Sequence, residues 1–155
     1  MVDTTQQLNV LQQLGRTYRA FMSAYEKEVG HFLPRWRVLL LLYNEQGPYP
    51  QKQLGHAAHM DPGALSRQLS SLEESGWIMR KTDQHDKRIT NVTLTKQGKL
   101  QVEQGLPKRA AFIERSLGDL PDTQVRQLMK SLLQLENRFN AIRNQEAMQK
   151  EDTMG

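Results

Sequence analysis

Residues 61–95, DPGALSRQLSSLEESGWIMRKTDQHDKRITNVTLT, decide how this chain is read. Asp61 is placed to cap a helix, Pro62 suits the first helical position, and Gly76 suits a left-handed stop. Leu65, Leu69 and Leu72 recur at spacings of four and three, so one stripe of that helix faces a core. At about 100° per residue, Arg67 falls opposite the stripe, flanked by Gly63, Ser70 and Ser71. On an arbitrary helix, a small polar face with one arginine is most often plain solvated surface.

The flanking residues change that weighting. Upstream, residues 50–58 read as a short helix with Leu54 and Ala58 inward, and His59 and Met60 form a brief link to Asp61. Two short helices joined this tightly make a helix-turn-helix pair, whose second member reads base edges in duplex DNA. Downstream, residues 77–79 and 91–95 have strand character, and the polar residues 81–90 between them form the tip of a hairpin. The order helix, helix, basic hairpin defines a mainly α winged helix-turn-helix with a small β-hairpin wing.

Charge is concentrated on that hairpin. Between residues 76 and 99 there are six basic residues (Arg80, Lys81, Lys87, Arg88, Lys96 and Lys99) against Asp83 and Asp86, an excess equal to the +4 of the whole chain. The remainder is near neutral, so the surplus sits where a wing would meet phosphate.

These residues resemble the MarR family of bacterial transcription regulators over residues 8–142. The resemblance is carried by LPRWRVLLLL at 33–42, by DPGALSRQLSSLEESGWIMR from Asp61, by DKR at 86–88 and by VTLTKQG at 92–98. It implies a homodimer in which each copy puts a recognition helix into the major groove and a wing arginine into the adjacent minor groove. Matched by position, Ser66 and Arg67 are the family's Ser-Arg pair on the recognition helix, Arg88 is the wing-tip arginine, and Asp86 is the acid that holds the wing in shape. A narrow minor groove concentrates negative potential, which favours an inserted guanidinium. Lys81 and Lys87 then supply phosphate attraction. Many relatives carry a lysine and then hydroxyl residues after Asp61, whereas this chain has Pro62, Gly63 and Ala64. Gln51 and Gln53 of the first short helix, with Arg67 and Ser70, are therefore expected to carry more of the recognition.

The expected organisation is an N-terminal helix at 1–32 belonging to a dimerisation module, a winged domain at 33–98, dimerisation helices at 99–148, and a polar tail at 149–155 too poor in apolar residues to order itself. Leu11, Leu14, Tyr18, Phe21 and Tyr25 alternate at three and four, as do Val125, Leu128, Leu132, Leu135, Phe139 and Ile142; Ala110, Ile113 and Leu117 form a shorter stripe. Any one stripe suits an intramolecular core, but together they exceed what one small winged domain covers, which points to a second copy. Twofold symmetry in turn calls for an inverted-repeat operator with half-sites about 10 base pairs apart. Pro107 is expected to kink or interrupt the connecting helix.

Relatives often bind small aromatic acids at the junction of the two modules, and a small aromatic carboxylate effector is the expectation here. Arg16, Tyr18, Arg19, His31, Phe32 and Trp36 are the candidates, since an apolar slot plus a cation or donor would hold a carboxylate. Trp36 also suits a plain core anchor, and Tyr18 a dimer face.

Other functions find little support. No cysteine is present, which removes disulfides, thiolate metal sites and thiol-based sensing. His56 and His59 lack neighbouring acids or thiols, so no metal is expected. No phosphate-cradling glycine loop, HExxH motif or nucleophile elbow suggests an enzyme. No run of about 18 apolar residues occurs and no secretory leader pattern opens the chain, so the cytoplasm is the expected location and no membrane is a partner. The rival within the fold is a winged adaptor for protein contacts without effector control, in which Arg67 and Arg88 are ordinary surface charges. Placing both arginines on one surface favours DNA.

Overall fold

The computed structural model describes residues 3–153, with side chains through residue 144. Two compact units divide the chain at residues 1–112 and 113–155. The first holds α1 (Thr4–Val29), α2 (Leu33–Glu45), β1 (Tyr49–Pro50), α3 (Gln51–Ala58), α4 (Pro62–Glu74), β2 (Ile78–Thr82), β3 (Thr90–Leu94) and most of α5 (Lys96–Leu117). The second holds the end of α5 and α6 (Asp122–Thr153).

Local chemistry sets the boundaries. Gly30 ends α1 at φ 82°, with its N–H on the Glu26 carbonyl. Asp61 Oδ1 accepts the Ala64 N–H at 2.9 Å, capping α4 one residue ahead of Pro62. At the far end Gly76 turns left-handed at φ 73°. Trp77 N–H then reaches the Leu72 carbonyl and Gly76 N–H the Glu73 carbonyl, a Schellman stop that launches β2.

The core of the first unit is built from every element around α4. Trp36, Val38, Leu39 and Leu42 of α2 meet Leu54 and Ala58 of α3, Leu65, Leu69 and Leu72 of α4, Ile78 and Val92 of the sheet, and Val102 of α5, all buried. The antiparallel sheet runs in the order β1-β3-β2. Its register, Ile78 opposite Leu94 through Thr82 opposite Thr90, turns Ile78 and Arg80 to the core side and leaves Met79 and Lys81 exposed.

Several expectations are corrected. Pro50 belongs to β1 rather than to α3. That two-residue strand, paired through Tyr49 to Val92 and Pro50 to Asn91, is too short to leave a periodic signature. The wing strands include residues 81, 82 and 90, so the tip spans only 83–89. Pro107 lies inside a continuous α5. The helix carries on past the missing N–H because Leu106 and Phe112 on either side pack against the core, and good helix formers follow. Helix α6 runs to Thr153, through the first part of the tail expected to lack order, since adding a residue to an existing helix is cheap. Side chains from 145 onward, and residues 154–155, lie outside those described.

Apolar side chains remain at the surface on the stripes noted in the sequence. On α1, Leu11, Tyr18 and Phe21 are exposed, and on α6 so are Leu128, Leu132, Phe139 and Ile142.

Gly105 of α5 is buried against the six-membered ring of Trp36, and a Cβ there would overlap that ring. Alanine normally stabilises a helix interior over glycine by about 0.5–1 kcal/mol. Overpacking against a buried indole reverses the sign, so Gly105→Ala is expected to destabilise by about 1–3 kcal/mol in urea unfolding. Gly15→Ala on α1, where the nearest atom to a new Cβ is the Arg19 guanidinium at 3.7 Å, is expected to stabilise. Equal shifts for the two variants would contradict this packing.

Candidate nucleic-acid interface

Turning Leu65, Leu69 and Leu72 into the core leaves the opposite face of α4 to solvent. Gly63 and Arg67 are exposed there, and Ser66, Ser70 and Ser71 are half-buried. Arg67 runs back toward the start of the helix, as helical side chains do, so that its Nη1 would lie 3.8 Å from a Cβ at Gly63. Ser70 is already engaged, its Oγ accepting from Arg80 Nη2 at 3.3 Å. The Ser71 carbonyl takes the Ser75 hydroxyl at 2.8 Å. Gln51 opens α3 half-buried, and Gln53 beside it is exposed.

The wing is shaped chiefly by Asp83, which reasoning from sequence passed over. Its Oδ2 accepts the His85 and Asp86 N–H groups at 2.9 and 3.1 Å, and its Oδ1 accepts Asn91 Nδ2 at 2.8 Å. These bonds hold its carboxyl below the usual carboxylate range. An Asp whose carboxylate meets N–H groups two and three residues on is an Asx turn, so residues 83–86 did contain the signal. Asp86, expected to hold the wing in shape, instead bonds Arg88: its carboxylate accepts Arg88 N–H at 3.0 Å, Nε at 3.1 Å and Nη2 at 3.0 Å. The pairing lowers the Asp86 pKa and raises that of Arg88, whose side chain is nonetheless 90% exposed at the tip. Lys81 and Lys87 are exposed beside it.

Arg80 does something else. It is half-buried and meets Glu73 of α4 through Nε at 3.0 Å and Nη2 at 2.8 Å, while its own N–H bonds Glu73 Oε1 at 3.0 Å. The Glu73 pKa falls through that hydrogen bonding. One of the six basic residues counted toward the wing is therefore a clamp between the wing and the recognition helix. A second clamp, also missed, is Arg35 of α2, which donates to Ser75 Oγ at 2.7 Å and lies 4.5 Å over the Trp77 ring.

The six residues proposed for an effector are divided by the structure. Arg16, Tyr18 and Arg19 are exposed on α1, Arg16 bonded to Gln13. Along the helix, Arg16 is about 20 Å from Val29, at 1.5 Å per residue. Phe32 precedes α2 and is exposed. His31 and Trp36 do come together, stacked at 5.2 Å with 10° between planes, and His31 meets Trp77 edge-on at 5.5 Å. Trp36 is 1% exposed, which makes it a core anchor. Its Nε1 and the Tyr25 hydroxyl are both buried and lie near each other, with no contact short enough to be a full hydrogen bond. Burial raises the Tyr25 pKa against the nearby Arg109 guanidinium. Tyr25 and Arg109 were not among the sequence candidates because their approach depends on how α1 and α5 pack.

Among the described residues, no group of three or more His, Asp or Glu gathers to hold a metal, and no helix is long and apolar enough to cross a membrane. A recognition helix and a basic wing held on one rigid lobe define a winged-helix DNA-binding protein. A profile of the MarR family matches residues 33–90. The chain is 31% identical to the HTH-type transcriptional regulator YxaD of Bacillus subtilis over 118 residues, 76% of this chain and 82% of that protein. It is also similar to AbfR, solved in its overoxidized form bound to DNA, at 27% identity and TM-score 0.68, covering 88% and 99% of the two chains. PcaV of Streptomyces coelicolor, solved with its natural ligand, shares the fold at 18% identity and TM-score 0.76, covering 88% and 96%. The chain belongs to the MarR family: it is a DNA-binding transcription regulator and not an enzyme.

The joint at His31 has a pH signature. Burial first, then Arg35 and Lys108, push its pKa below the usual 6.5. The folded state thus disfavours the imidazolium, and the unfolded chain binds the extra proton first. Stability is expected to be full above pH 6.5 and to decline as the pH falls below it, toward the folded-state pKa. Urea unfolding between neutral pH and pH 5 measures this, and His31→Gln should flatten the profile there. The carboxylates with lowered pKa values titrate below that window.

Proposed function

We propose that this regulator acts as a homodimer on an inverted-repeat operator, that it represses, and that a small aromatic acid releases it. The observation that carries the DNA contacts is the pair of arginines with exposed side chains, Arg67 on α4 and Arg88 at the wing tip, on elements clamped together by Glu73 and Arg80. In this reading Arg67 and Ser66 meet base edges, helped by Gln51, Gly63, Ser70 and Ser71. Arg88, oriented by Asp86, enters the minor groove, and Lys81 and Lys87 hold phosphates. Repression by occlusion is favoured because no segment reads as an activating region, and the cytoplasm is where such a regulator would meet its DNA. The two copies pair through the apolar stripes of α1 and α6, which each copy leaves exposed.

For the effector, the supporting observation is the buried Tyr25 hydroxyl, which lies near both Trp36 Nε1 and the Arg109 guanidinium. A carboxylate would give the Tyr25 hydroxyl an acceptor and the Arg109 guanidinium an anion. Release requires that the acid favour the DNA-incompetent dimer, and about 2–3 kcal/mol of preference weakens DNA binding by that amount.

The test is fluorescence anisotropy with operator fragments selected from genomic DNA by the purified protein. Arg88→Ala is expected to cost about 1–3 kcal/mol of affinity, and Arg67→Ala a similar amount with relaxed base preference. Affinity should fall roughly a thousandfold between 50 and 200 mM salt if about 6 to 10 phosphates are neutralised. A flat salt response, or a monomer by sedimentation that still binds operator, would overturn the reading. Hydroxybenzoates should release DNA from the wild type and fail to do so from Arg109→Ala.

A further inference from the structure

Arg67 and Arg88 stand on separate elements, and few contacts fix the distance between them. The wing is firm in itself: β2 and β3 pair from Ile78 to Thr82, and Asp83 ties the tip together through His85, Asp86 and Asn91. Its covalent tether to α4 is the turn at Gly76, and Arg35 on Ser75 and Trp77 holds only the root. At about 3.3 Å per residue, Gly76 to Thr82 spans about 20 Å, so a swing of about 10° at the turn moves the tip by about 3.5 Å. Such a shift equals about one base-pair step of 3.4 Å along the duplex. Beyond the root, Arg80 pins the hairpin back to α4. Its N–H meets Glu73 Oε1, its Nε and Nη2 meet Glu73 Oε2, and Nη2 also meets Ser70 Oγ. A planar guanidinium gripping a carboxylate in this way restrains direction as well as distance. Glu73 is otherwise costly, because an acid with a side chain 39% exposed on a DNA-reading helix repels phosphate.

We infer that Glu73 and Arg80 are positioning residues for operator recognition: their clamp fixes the step between Arg67 and Arg88, so that the two arginines bind as one bivalent unit of set spacing. The inference rests on the DNA reading above, in which Arg67 meets base edges and Arg88 the minor groove. In a bivalent binder, each contact is strengthened by the effective concentration that the linkage sets. Either arginine therefore costs more to remove while the other is in place. The loss on removing both falls short of the product of the single losses by that same factor.

The experiment is a cycle of Arg67→Ala, Arg88→Ala and the double variant, each measured in the wild-type, Arg80→Lys and Glu73→Gln backgrounds of the full chain. The probe is a duplex selected from genomic DNA by the wild type, and the readout is fluorescence anisotropy. Arg80→Lys keeps the charge and loses the fork, whereas Glu73→Gln removes an acid, which by charge alone would tighten DNA binding. In the wild type the double loss is expected to be about tenfold smaller than the product of the single losses. In either background that shortfall should shrink to about twofold or less, and Glu73→Gln should bind about threefold more weakly than the wild type. A contact that merely stabilised the fold would lower all four affinities of a cycle alike and leave their ratio unchanged; circular dichroism gives the folded fraction of each variant. An unchanged shortfall in both backgrounds, independent losses in the wild type, or tighter binding by Glu73→Gln would each overturn the inference. If Arg67→Ala and Arg88→Ala each cost nothing, the DNA reading falls and the inference with it.

Discussion

Trp36 is wholly buried near the start of α2, and its ring leaves room for nothing larger than glycine at position 105 of α5. From that contact the rest of the lobe can be traced. His31 stacks on the free face of the indole and touches Trp77, which opens the wing, while Arg35 covers Trp77 and ties α2 to the end of α4. A buried tryptophan removes about 150–250 Å² from water, which makes it the largest single apolar contribution in such a core. Its two aromatic neighbours and one guanidinium convert that burial into orientation. The angle at which α4 presents Arg67 is therefore set by packing at the opposite end of the lobe.

Electrostatics on the outer surface work with small energies. Arg88 and Asp86 form a pair at the wing tip, and exposed pairs of this kind contribute between nothing and about 1 kcal/mol. Exchanging the carboxylate for the potential of a DNA groove, as proposed for Arg88, would thus cost little. Glu73 and Arg80 differ in that Arg80 is half-buried and bonded three ways, so its charge is committed to the joint between helix and wing. Basic residues adjacent in sequence have separate physical roles because strand alternation turns Arg80 inward and Lys81 outward.

That alternation also explains what could be read in advance. The capped helix, its leucine stripe and the glycine stop depend on local chemistry, and each stands where the spacing placed it. Strand β1 escaped notice because two residues have no period, and Pro107 does not interrupt α5 because that helix is sustained by packing that lies outside the local pattern. Asp83 carried a turn signature that the more familiar Asp86 overshadowed. The effector candidates come from elements distant in sequence, so their spacing alone could not say that His31 and Trp36 stack while Arg16, Tyr18 and Arg19 lie exposed on α1, nor that Tyr25 and Arg109 approach each other.

An acid bound beside Tyr25, as proposed above, would act at a distance: it would weaken DNA binding only by the difference between its affinities for the two arrangements of the dimer. However tightly it bound, equal affinity for both arrangements would regulate nothing.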